Sequence, residues 1–147
     1  MGHQDIDALF AIKSQIKKIS EKHKLSFAFK VDLGNYETAI EFVGHALFHP
    51  PISQDWSTNP IILCPDLLDF HQKLIIEYEE EVGERRTGAR FAKKGHQREG
   101  DIDNKRDVRR NKFYKRGQFH VLRLWESDKN WKKKLEKFLL SNNDLVV

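Results

Sequence analysis

The chain reads as a single α/β domain with a mixed central sheet flanked by helices. Three observations predict this. Its 147 residues suit one core and are too few for two ordinary domains. Segments with apolar residues at helical spacing are interleaved with short strand-like segments, an order that makes a layered α/β fold. Leu74-Ile75-Ile76 is a continuous apolar run, which suits a central strand covered on both faces. The composition agrees, since 11% aromatic residues beside 33% charged ones argue against disorder.

Residues 5–24 predict a helix, because Ile6, Leu9, Phe10, Ile12, Ile16 and Ile19 recur at its period. Residues 25–33 alternate apolar and polar, as a short strand does. Asn35 then reads as an N-cap for a helix over 36–48, stopped by Pro50-Pro51. Its apolar stripe is Tyr36, Ile40, Val43 and Leu47, with Glu37 at the edge and Glu41 further toward the polar side. Residues 53–60 have turn composition. Residues 61–70 and 73–81 are strand-like and predict an antiparallel pair about His71-Gln72.

Residues 80–100 carry four glycines among charges and read as a mobile loop or irregular excursion. Asp101–Arg116 predicts a helix, ended by Gly117 as a left-handed cap. Residues 118–126 predict a strand. A last helix starts near Ser127-Asp128, with Trp131, Leu135, Phe138 and Leu139 on one side, a stripe for the core or a dimer interface. The domain thus divides into 1–34 (helix and possible strand), 35–126 (core) and 127–147 (final helix).

Several classes are excluded or disfavoured. A lone cysteine, Cys64, allows no intramolecular disulfide and no zinc finger built on several cysteines, and it favours a reducing cytoplasm. No apolar run approaches the roughly 20 residues of a membrane span, and the start MGHQDIDALF has no secretory pattern. The net charge of +4 hides an asymmetry: residues 1–84 sum to −7, 85–116 to +9 and 117–147 to +2. A basic block beside an acidic half is the pattern of a polyanion binder with carboxylates nearby.

Those carboxylates cluster. Glu77 and Glu79 are two apart in a strand and share a face, with Tyr78 opposite. The preceding strand can set Asp66 beside them. Three such acids repel one another, and a hard divalent cation relieves that.

From Asp66 onward the order of residues is distinctive. Asp66 is followed eleven positions on by Glu77, then Glu79, then His96 in GHQREGD. Asp103, Arg106 and Asp107 follow in DNKRD, then Leu122-Arg123 in HVLRLWE. This stretch of about 60 residues resembles the PD-(D/E)xK nuclease superfamily, in the branch related to very-short-patch-repair endonucleases. The resemblance implies a restriction-endonuclease-like fold and a Mg²⁺- (or Mn²⁺-) dependent DNA endonuclease. It implies Asp66 and Glu77 as metal ligands, and Glu79 as a ligand or a holder of metal-bound water. It also calls for an acid on the helix before the hairpin, where Glu37 fits best and Glu41 is the alternative. His96 becomes a general acid or base, and Asp103 either a site residue or an ion-pair partner of Arg106. Glu79 stands where the superfamily usually has a lysine; Lys105, Arg106 or Lys93-Lys94 are placed to supply that charge.

Phosphate contacts are expected from Lys93, Lys94, Arg98, Lys105, Arg106, Arg109, Arg110 and Lys112. The expected partners are double-stranded or branched DNA and, to engage both strands, a second copy of the chain through Leu9, Phe10, Trp131 or Phe138. No membrane is expected among them. A nucleic-acid-binding protein without cleavage, or an RNA-processing nuclease, remain the rival readings.

Overall fold

Leu9, Ile12, Ile16 and Ile19 fall on one stripe, and all four are buried, so helix α1 (Asp5–His23) forms by covering a sheet. The computed structural model describes residues 5–42, 61–80 and 105–142. Within them the chain continues through β1 (Lys30–Val31), β2 (Ile40–Phe42), β3 (Ile61–Leu63), β4 (Leu67–Asp69) and β5 (Leu74–Glu79). Helix α2 (Lys105–Arg116), strand β6 (His120–Trp125) and helix α3 (Trp131–Ser141) follow. The main sheet has the order β1-β4-β5-β6. Its first two pairings are antiparallel and β5–β6 is parallel, so the sheet is mixed and the fold α/β.

Leu74, Ile75 and Ile76 are completely buried, which is the two-sided burial their run predicts. Leu74 and Ile76 face α1 and α3, packing with Leu9, Ile16, Leu124, Leu135 and Leu139. Ile75 faces the other way, into a second cluster with Ile40, Leu68, Tyr114 and Phe119. Helices therefore lie on both faces. Each large apolar side chain so buried contributes about 1.5–3 kcal/mol. Lys22 and His23 at the end of α1 reach Glu136 of α3 at 3.2 and 2.7 Å, clasping the two helices on that face.

Four expectations are corrected. Residues 36–42 are not helical: they form a turn and then β2, which pairs with β3 in a separate two-stranded ladder. Asn35 is not an N-cap; its Oδ1 accepts from the Glu37 N–H at 3.3 Å, an Asx turn, and Tyr36 stands at φ +63° and 72% exposed. The run 61–70 is two strands rather than one. Pro65, which has no N–H to donate, lies in the break between β3 and β4.

The third correction is the end of α2. Gly117 is not the left-handed residue; Gln118 is, at φ +63°. Phe119 N–H donates to the Tyr114 carbonyl and Gln118 N–H to the Lys115 carbonyl, both at 3.0 Å, which is the Schellman pattern. Gly117 is needed for space instead. A Cβ there would lie 2.7 Å from the Phe119 ring and 3.1 Å from Phe42.

The fourth concerns the proposed dimer face. Leu9 is buried, and Trp131 and Phe138 pack against the same core, so of those four residues only Phe10 presents a largely open surface. The second halves of the predicted 36–48 helix and of its stripe, the 53–60 loop and the 81–100 excursion lie outside the described residues. No described helix is long and apolar enough to cross a membrane.

Candidate functional site

The antiparallel register sets Leu67 opposite Ile76, which leaves Asp66 opposite Glu77 one rung further on. The two residues interlock. The Asp66 N–H donates to Glu77 Oε1 at 2.9 Å, and the Tyr78 N–H donates to Asp66 Oδ2 at 2.8 Å. Each carboxylate is thus oriented by the other strand. The backbone N–H of Asp32, just past β1, continues the ladder by donating to the Asp66 carbonyl at 2.8 Å. Sequence reasoning passed over Asp32, because a polar residue at the end of a short alternating segment carries no signal by itself.

Glu77 and Glu79 do share a face of β5, the one covered by α2, while Tyr78 packs on the opposite cluster. Their mutual repulsion is met by arginines. Arg110 of α2 donates from Nη1 to Glu77 Oε2 at 2.8 Å, and Glu77 is 1% exposed. Arg123 of β6, the register partner of Glu77, forms an ion pair with Glu79 and donates from Nη2 to Asn111 Oδ1 at 2.8 Å. Burial disfavours the charged form of Arg110, but the Glu77 carboxylate outweighs it and raises the guanidinium above its ordinary pKa. Tyr114, one turn after Arg110, is completely buried, and its pKa is pushed up by burial and then by the charge of Glu77. The half-buried Cys64 thiol is raised too, by burial and then by Asp32.

Among the described residues no three of His, Cys, Asp and Glu converge as an ion's ligands. Asp66 and Glu77 come together, and Glu79 is tied to Arg123. Magnesium takes one or two protein carboxylates and fills the rest of its shell with water and phosphate oxygens. The hard oxygens of Asp66 and Glu77 fit that donor set. Glu37, expected on a helix, sits exposed in the turn before β2, and Glu41 is exposed within β2.

Of the expected phosphate contacts, Arg109 is exposed on α2 and so is Lys112, whereas Arg110 is turned inward to Glu77. Lys105 and Arg106 form the first turn of α2. Lys93, Lys94, His96, Arg98 and Asp103 lie outside the described residues. The residues that sequence reading missed here are Asn111, Tyr114 and the inward role of Arg110. A helical stripe of Arg110, Phe113, Tyr114 and Gly117 was the available signal, since it marks the face that meets the sheet.

No protein-family model matches the chain, and no curated protein or solved structure matches it either.

Proposed function

We propose that the protein is a Mg²⁺-dependent endonuclease that hydrolyses phosphodiester bonds in DNA. The observation that carries this reading is the interlocked pair of Asp66 and Glu77, oriented by backbone N–H groups and faced by a strongly basic helix. The resemblance to PD-(D/E)xK nucleases belongs to the same proposal. So does the restriction-endonuclease-like form of the fold, supported by the mixed sheet with helices on both faces.

In this reading Asp66 and Glu77 hold the ion. Bound there, it supplies Lewis-acid polarisation of the phosphodiester and lowers the pKa of a water. The chain's own groups do the rest. The Tyr78 and Asp66 N–H groups fix the carboxylate oxygens. Arg110 and Arg123 balance a cluster that otherwise repels phosphate. Arg109 and Lys112, exposed on α2, draw the DNA backbone in, with an affinity that falls steeply with salt.

One observation favours the second reading, a nucleic-acid-binding protein without cleavage: Glu77 and Glu79 already have arginine partners. Supercoiled plasmid, linear duplex, branched DNA and RNA incubated with Mg²⁺ or EDTA separate the two. Cleavage in Mg²⁺ alone, lost in Asp66→Asn with binding retained, is the expected result. Isosteric Asn is the right replacement, since it still accepts the Tyr78 N–H. Full activity in Asp66→Asn, or cleavage that persists in EDTA, rejects the metal site. Binding without cleavage under every condition selects the second reading.

A further inference from the structure

The hydroxyl of Tyr114 is buried and has no hydrogen-bond partner among the described residues. Such a group costs about 1–3 kcal/mol unless something else satisfies it. The Tyr114 ring packs with Ile75 and lies 6.4 Å from Phe119, edge-on. The next side chain on the same face of β5 is Glu77, about 7 Å further along. Helical side chains lean toward the helix N-terminus, so the phenol runs back toward the turn that carries Arg110. That direction leads from the cluster around Ile75 toward the end of the face where Glu77 meets Arg110. Glu77, Arg110, Asp66 and Arg123 are the charges that act on it, with that of Glu77 the strongest.

We infer that Tyr114 is a positioning residue of the Asp66–Glu77 cation site, its hydroxyl donating a hydrogen bond to a water in the shell of the bound divalent ion. This rests on the metal reading above and adds to it the residue that orients the ion's water. The Tyr114 hydroxyl is then the donor and the ion's water its acceptor. Arg110, one turn away on the same stripe, donates to Glu77 Oε2.

Calorimetric titration of the full-length chain with MnCl₂, together with thermal melts in EDTA, tests it on the unmodified protein, Asp66→Asn and Tyr114→Phe. The unmodified chain is expected to bind Mn²⁺ and Asp66→Asn to lose binding. Tyr114→Phe is expected to bind about tenfold more weakly, the usual effect of removing an outer partner of a metal site. Its melting temperature in EDTA should stay equal or rise, because an unsatisfied polar group has been removed. Equal Mn²⁺ affinity in Tyr114→Phe and the unmodified chain overturns the inference and leaves the metal site standing. A lower melting temperature in EDTA makes the hydroxyl structural and also overturns it. No binding to the unmodified chain overturns both.

Discussion

Replacing Arg110 with Met keeps an unbranched aliphatic stem and removes the cation that pairs with Glu77. Breaking one side of a buried pair costs about 3–5 kcal/mol, because a charge is left in a poor solvent. Here the carboxylate side chain is 1% exposed but the arginine side chain is 27% exposed, so water already screens part of the pair. That places the cost at the lower end, about 3 kcal/mol. For a chain of this length each kcal/mol shifts the melting temperature by about 2–4 °C, so a fall of about 6–12 °C follows. The double variant with Glu77→Gln removes both charges, and its cost should fall short of the sum of the singles by about 1–3 kcal/mol. Urea denaturation and circular-dichroism melts at pH 7 in EDTA measure all three. A loss under about 1 kcal/mol in Arg110→Met, or strict additivity in the double variant, would refute the idea that Glu77 depends on this arginine.

Gly117→Ala puts a methyl 2.7 Å from the Phe119 ring, and overpacking of this kind costs about 1–3 kcal/mol, read from urea midpoints. Gln118→Gly should stabilise the chain by about 1 kcal/mol, since a side chain at φ +63° is strained and glycine is not. His23 and then Lys22 hold the Glu136 carboxyl below its ordinary 4.5. A lowered folded-state value means stability that is fully present above the unfolded value and lost as pH falls through the folded one. The α1–α3 clasp should therefore weaken as pH drops below about 4.5, and Glu136→Gln should flatten that part of the stability–pH curve measured by urea titration.

Where one period dominates, the sequence was readable. The stripe of α1 and the run of β5 match the helix and strand expected, and β6 forms where a strand was expected. Residues 36–42 were not, because two periods coexist there. Tyr36 and Ile40 fit a helix, while Thr38, Ile40 and Phe42 fit a strand. The choice is made by tertiary contacts, the pairing of Ile40 with Leu63 and its packing against Ile75. The same division runs through the candidate site. Asp66 and Glu77 could be placed together because a tight antiparallel pair nearly dictates its own register. The arginines could not, since Arg110 is 33 positions from Glu77 and Arg123 is 44 from Glu79. Only the crossover through α2 brings them round, and nothing local encodes that meeting.

That parallel pairing has a consequence for the chain as it is made. Every rung between β5 and β6 joins residues 46 positions apart, from Leu74–His120 to Glu79–Trp125. A ribosome adding about 5–20 residues per second finishes β5 several seconds before β6 exists. Through that interval β5 is a bare strand edge carrying Leu74-Ile75-Ile76, the kind of segment that recruits another nascent copy. Glu77 and Glu79 flank the apolar run while their arginines are still unmade, so their charge is uncompensated when self-association is the greatest hazard. Charges flanking an apolar strand are what keeps such a segment from self-association, and in the finished sheet Arg110 of α2 and Arg123 of β6 are paired with them.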